Sequence, residues 1–251
     1  MKKYRVTKYD PKNRNDKDHY MFDHWTEISD VGRTLEGELV TPEAYFKVEE
    51  DYVNAVIDIL NDSNQNYLRL IGFDEKLFKS ALKENKKEWF HDSSFENILL
   101  SVDLKIGIKD IPTIIRLNLR NYIHAALEIK DRYYVHFGYD FYMYVGAPSL
   151  SQKTIDKINA TNVFIEDSWS PYYSRELEYI VQRSERDSMY VADEYILEGM
   201  TIDKMKSIFN LSQEHSGQIN SVINQELADK LEIKTDFDKN EYYLSTELKI
   251  E

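Results

Sequence analysis

The feature that most constrains the fold is a series of three strand-like runs, Ile123–Ile129, Arg132–Phe137 and Tyr139–Val145. Each run is rich in β-branched and aromatic residues. Only Lys130-Asp131 and Gly138 separate them. Such short separators between strands are typical of an antiparallel meander. The sequence therefore predicts a sheet built around these three strands.

A long helix is predicted from Thr41 to about Asn61. Thr41 can cap the helix, Pro42 suits its first position and Glu43 suits its first turn. The apolar residues that follow recur at intervals that place them on one helical face. They are Tyr45, Val48, Tyr52, Val56, Ile59 and Leu60.

The segment Ser168-Trp169-Ser170-Pro171 indicates a boundary between two domains, 1–170 and 171–251. The pattern of the second domain predicts strands at Glu176–Gln182 and Met189–Leu197, two capped helices, and a closing strand at Asn240–Leu248. We therefore expect an α+β fold of two adjacent small domains, each a mostly antiparallel sheet packed with helices.

The composition limits the classes of function that the chain can have. The chain has 45 acidic and 32 basic residues, a net charge of −13, whereas a nucleic-acid-binding protein usually has a basic surface. Residues 171–251 hold nine Lys and Arg against seventeen Asp and Glu, a net charge of −8. Cysteine is absent, which excludes disulfides and thiolate chemistry. No membrane span or secretory signal is predicted, so we expect a cytoplasmic protein.

Motifs of known catalytic classes are also absent. The sequence lacks the GxSxG, GxxxxGK[ST], GxGxxG and HExxH patterns, and no metal, cofactor or catalytic residue is predicted. His19, Asp23 and His24 form the nearest approach to a cluster, in a polar loop where a solvated role is the simpler interpretation. His136 lies in a strand and is expected to be a hydrogen-bonded sheet residue. The run Glu49-Glu50-Asp51 is interpreted as a solvated helix face.

The aromatic run Tyr139–Val145 allows two interpretations. Alternation puts Tyr139, Phe141, Met143 and Val145 on one face, and Asp140, Tyr142 and Tyr144 on the other. The strand is either buried on both sides by helices, which we favour, or it exposes the second set. Exposed tyrosines beside a carboxylate would suit a basic protein partner.

Two parts of the chain resemble bacterial proteins of uncharacterised structure and mechanism. The first carries the segments YRVTKYDP, WTEISDVG and VHFGYDFYMYVG. The second, from Glu176 to Glu247, carries LEYIVQR, YVADEYILEG, TIDKMKSIF, NQELADKL and FDKNEYYLSTE. Both are similar to domains found beside polymorphic toxin genes, where they are taken as immunity proteins. The resemblance implies a binding protein rather than an enzyme, and no catalytic residue is carried over.

Three hypotheses remain open. The first is an immunity protein that binds and neutralises a basic toxin, for example a nuclease, through an acidic and tyrosine-rich surface. The second is a metal-dependent enzyme acting on nucleotides or nucleic acid, and the third is a phage-linked or host-defence regulator that binds a cellular protein. The sequence leaves the oligomeric state open and predicts no direct contact with nucleic acid or membrane. The candidate partner-binding residues are Asp140, Tyr142, Tyr144, Asp193, Glu194, Asp236, Asp238 and Glu241.

Overall fold

The computed structural model has an α+β fold with two antiparallel sheets and a small separate hairpin, which confirms the predicted fold class. It describes residues 1–17, 19–21, 24–173, 176–186, 188 and 190–248. None of the helices in these ranges is both long enough and apolar enough to cross a membrane.

The helices are α1 (Pro42–Asp62), α2 (Glu75–Glu84), α3 (Ile111–Leu119), α4 (Gln152–Asn159), α5 (Ile202–Phe209) and α6 (Gln225–Leu231). The strands are β1 (Lys2–Thr7), β2 (Thr34–Leu35), β3 (Glu38–Leu39), β4 (Tyr67–Ile71), β5 (Lys105–Gly107), β6 (Ala126–Ile129), β7 (Tyr133–Phe137), β8 (Met143–Ala147), β9 (Phe164–Asp167), β10 (Leu177–Glu185), β11 (Val191–Ile196), β12 (Ser221–Val222) and β13 (Asn240–Leu248).

The first sheet has seven strands in the order β5-β4-β6-β7-β8-β1-β9, and every neighbouring pair is antiparallel. Its centre is the predicted meander, β6-β7-β8. The third strand begins at Met143 rather than at Tyr139, because Asp140 and Phe141 have φ angles of 56° and 59° and form a turn. The expected alternation is therefore wrong at its start, and Tyr139 is exposed while Phe141 is buried.

One face of the first sheet forms the main core with α1 and α3. The register of the strands places its buried residues in continuous rows across the sheet. They include Tyr4, Val6, Leu70, Leu127, Val135, Met143 and Val145. Burying each large apolar side chain contributes about 1.5–3 kcal/mol, so this face accounts for much of the folding energy.

Helix α1 begins as predicted, with the Thr41 hydroxyl accepting a hydrogen bond from the Ala44 amide at 3.2 Å. Its predicted apolar face is buried, apart from a half-buried Val48. The solvated interpretation of Glu49 is wrong. Its carboxylate is buried and accepts two hydrogen bonds from Arg120, at 2.6 and 2.7 Å, so a cation from the end of α3 compensates its charge.

The second sheet has four strands in the order β11-β10-β13-β12. Its core is separate from that of the first sheet and includes Tyr179, Val181, Met205, Leu231 and Leu244. The segment 168–171 lies between the last strand of one sheet and the first strand of the other. The division into domains 1–170 and 171–251 stays a prediction. Polar contacts join residues of the first sheet to residues after position 171.

These contacts centre on two carboxylates. Glu214 accepts hydrogen bonds from the Tyr67 hydroxyl and from Arg69 Nε, both at 2.7 Å. Asp103 accepts one from the Ser212 amide at 2.6 Å and one from Arg69 Nη1 at 3.1 Å. Arg69 on β4 therefore joins both carboxylates and fastens the segment around Ser212 to the edge of the first sheet.

Candidate functional site

Strand β11 carries two of the predicted partner-binding residues, Asp193 and Glu194. It lies at the edge of the second sheet, and all six of its residues are exposed. Arg183 approaches Asp193 only to 3.9 Å, and the Asp193 side chain keeps 60% of its surface exposed. No basic side chain in the described part of the chain pairs with Glu194. Both carboxylates therefore remain available to a partner in solvent.

Apolar side chains accompany these carboxylates. Tyr190 is 78% exposed, and Val191, Tyr195 and Ile196 are between 40% and 50% exposed. Single exposed apolar residues are common on proteins, but these four lie within seven residues, on one edge strand or directly before it, and clustered exposed apolar side chains mark interaction surfaces. Tyrosine in particular suits interfaces because it offers a large apolar ring and a polar tip.

The strand register brings the other C-terminal candidates to the same end of the sheet. Glu241 on β13 pairs with Ser184 on β10, which in turn pairs with Val191 on β11. Asp193 pairs with Arg183, the partner of Tyr242, so Glu241 and Asp193 lie near the same end of the sheet but on opposite faces. Glu194 shares the face of Glu241. The Asp236 amide donates to the hydroxyl of Tyr242, the residue after Glu241, at 3.0 Å.

We call this group the acidic patch; it consists of Asp193, Glu194, Asp236, Asp238 and Glu241. Some members have basic neighbours: Lys239 lies 3.4 Å from Asp236, and Lys76 lies 3.5 Å from Glu241. These pairs are exposed, and exposed pairs contribute about 0–1 kcal/mol, so a partner can displace them at little cost.

The other predicted set, Asp140, Tyr142 and Tyr144, belongs to the turn and strand of the β7–β8 hairpin in the first sheet. Asp140 is exposed. Tyr142 is half-buried, with the Arg5 guanidinium 4.6 Å from its ring centre, and burial raises the pKa of its hydroxyl. Tyr144 is half-buried against the Tyr172 ring, with 6.0 Å between ring centres. Of this set, Asp140 is the residue most open to solvent.

The histidine cluster considered for an enzyme is only partly described. Asp23 lies outside the described residues. His19 and His24 are exposed, and the His24 ring rests against Tyr9 at 5.5 Å. Within the described ranges, no group of three or more His, Asp or Glu side chains is arranged to hold a metal ion.

Three buried side chains, Glu128, His136 and Ser170, form a hydrogen-bonded row that the sequence did not predict. His136 Nε2 lies 2.8 Å from Glu128 Oε1, and His136 Nδ1 lies 2.7 Å from Ser170 Oγ. The prediction of a bonded sheet histidine is thus confirmed. The row has the order of a serine–histidine–acid triad, but Ser170 is fully buried and its oxygen also accepts the Tyr172 amide. This arrangement fastens the segment after β9 to the first sheet.

A cavity of about 230 Å³ lies next to this row. Its lining combines both signs of charge with two tyrosine rings, and comprises Glu128, Lys130, Asp131, Tyr172, Tyr173, Ile202, Ser216 and Gln218. His215 lies nearby in the fold, and burial lowers its pKa to about 4. Its Nδ1 accepts the Gly217 amide at 2.9 Å, so the neutral ring carries its proton on Nε2.

Comparison of the chain with protein-family models, curated proteins and solved structures gave no match. We therefore infer the function from the chain's own residues.

Proposed function

We propose that the chain is a non-enzymatic immunity protein that binds and neutralises a basic bacterial toxin in the cytoplasm. The observation that supports this most is the acidic patch, in which five exposed carboxylates on β11, on β13 and in the loop before β13 accompany the exposed tyrosine and aliphatic side chains of residues 190–196. The family resemblance described above points to the same class of protein.

Electrostatics gives this surface two roles. The second part of the chain has a net charge of −8, which attracts a basic partner over distances of about one Debye length. Steering of this kind raises the association rate and weakens as salt is added. Tyr190 and Tyr195 then provide the apolar area that slows dissociation once the partner is seated.

The partner need not be a nuclease. Carboxylates can occupy a basic substrate-binding cleft, or they can cover another part of a toxin and block it sterically. The acidic patch is equally suited to a basic cellular protein, as in the regulator hypothesis. The identity of the captured protein decides between these two possibilities.

The first test is capture followed by affinity measurement. The tagged full-length chain is purified from its source cells, and the dominant co-purifying protein is identified and expressed. Its affinity is measured for the wild type and for the double variant Asp193→Asn with Glu194→Gln. Glu36→Gln with Glu38→Gln is the matched control, because it removes two exposed carboxylates from the β2–β3 hairpin.

We expect a basic partner whose affinity falls about tenfold or more for the patch variant and stays unchanged for the control. An acidic partner, or equal losses for the two double variants, would contradict the proposal.

A further inference from the structure

Strand β11 has an unpaired side that is defined by its hydrogen bonds to β10. The Leu197 amide donates to the Tyr179 carbonyl at 2.8 Å, so the backbone of Leu197 faces inward. In an antiparallel pair, every second residue faces the same neighbour. Tyr195, paired with Val181, therefore also faces inward. The backbone groups of Glu194 and Ile196 point away from the sheet.

Within the described residues this edge has no lysine, proline or covering segment, and the charged side chains of β11, Asp193 and Glu194, repel acidic strands rather than basic ones. Edge strands are commonly protected by charged side chains, especially lysine, by proline, by bulges, by short length or by a covering segment. The six residues of β11, VADEYI, include neither lysine nor proline, and all of them are exposed. The register shift near Arg183 lies at the start of the strand and leaves the Glu194–Ile196 part regular.

We propose that β11 accepts an extended, basic segment of the partner as an additional antiparallel strand. The inference rests on the proposed function, because it states how the acidic patch is used. Backbone hydrogen bonds to Glu194 and Ile196 would provide affinity. Lysine or arginine side chains at alternate positions would share one face of the sheet with Glu194, and the residues between them would share the other face with Asp193 and Tyr195.

Charge determines which kind of strand fits. If a second copy of this chain paired through β11, its Asp193 and Glu194 would lie opposite or diagonal to the same two residues. Like charges in these positions are destabilising. Basic side chains there form favourable cross-strand pairs instead. The edge is therefore open to a basic strand and is protected from self-association by its own carboxylates.

The test uses defined peptides and does not require the natural partner. One library contains ten-residue peptides that alternate lysine with valine, isoleucine, tyrosine or threonine. A second library has the same sequences with alternate backbone nitrogens methylated. Methylation keeps the charge of the peptide but removes half of its backbone hydrogen-bond donors. Binding to the full chain is measured by fluorescence anisotropy, and protection of the Glu194 and Ile196 amides is followed by hydrogen exchange.

Variants of the chain separate backbone pairing from charge. Glu194→Pro removes an outward-facing donor, and an edge strand tolerates proline at such a position. Glu194→Gln removes the charge and keeps the donor. We expect selected peptides to bind the wild type, with at least tenfold weaker binding for methylated peptides and for Glu194→Pro. Glu194→Gln should lose less affinity than Glu194→Pro.

Equal binding of methylated and unmethylated peptides would overturn the proposal, and so would the absence of any bound peptide. The methylated library keeps this result decisive even if Glu194→Pro unfolds. The captured partner could bind in a way that depends on Asp193 and Glu194 while methylated and unmethylated peptides bind equally well. This combination would preserve the proposed function and reject strand addition. Self-association of the wild-type chain through protected β11 amides would overturn the proposed occupant.

Discussion

Burial of His215 predicts a specific dependence of stability on pH. The ring is fully buried, and its pKa falls from 6.5 to about 4 because burial penalises the charged form. Between these two pH values the unfolded chain binds a proton at this residue and the folded chain does not. The free energy of unfolding must therefore decrease as the pH falls from about 6.5 to 4.

The size of the His215 pKa shift determines how much the free energy of unfolding decreases. One pKa unit corresponds to about 1.36 kcal/mol, so His215 alone should lower the free energy of unfolding by about 3 kcal/mol over this window. Other acidic groups contribute to acid unfolding as well. The variant His215→Asn isolates the histidine, because asparagine can still accept the Gly217 amide through its side-chain oxygen and does not titrate.

The assay is urea unfolding of both proteins at half-unit steps from pH 4 to pH 8. Above pH 7 we expect the free energies of unfolding of the wild type and His215→Asn to change in parallel with pH. A constant offset between them would reflect the different packing of the two side chains. Below pH 6.5 the wild type should lose stability faster than His215→Asn, by about 3 kcal/mol in total. Curves that stay parallel down to pH 4 would refute the argument that His215 is buried in its neutral form.

Two further predictions concern the first sheet and its core. Glu49→Ala should cost about 3–5 kcal/mol in urea unfolding, because it leaves the buried Arg120 guanidinium unpaired, whereas Glu50→Gln on the exposed side of the same helix should stay within about 0.5 kcal/mol. A comparable loss for both variants would contradict this. Gly146→Ala should cost about 1–3 kcal/mol, since its new Cβ would overlap the buried Tyr134 ring, and an unchanged thermal midpoint would show that the ring can move aside.

Local features of the fold could be predicted from the sequence. Helix α1 begins after Thr41 because the cap and the proline act within a few residues, and its apolar period runs unbroken to the end of the helix. The closing strand, predicted at 240–248, is observed with those bounds as β13. The order of the strands was not predictable in this way, because β1 joins the sheet between β8 and β9 through pairs far apart in the chain.

The same limit applies to the candidate surface. The C-terminal carboxylates were chosen individually, but only the register of β10 with β11 and β13 places Asp193 and Glu241 at one end of a sheet. The partial burial of Tyr142 depends on Arg5, and that of Tyr144 depends on Tyr172. A single sequence without its strand pairing does not reveal such contacts.

Neutralisation of the partner in living cells tests the proposed immunity function. The captured basic protein is expressed from an inducible promoter, alone and together with the wild-type chain, the Asp193→Asn and Glu194→Gln double variant, or the Glu36→Gln and Glu38→Gln control. We expect the partner alone to stop growth, the wild type and the control to restore it, and the patch variant to restore it poorly at equal protein levels. Full rescue by the patch variant, or a partner that does not affect growth, would show that the acidic patch does not neutralise a toxin.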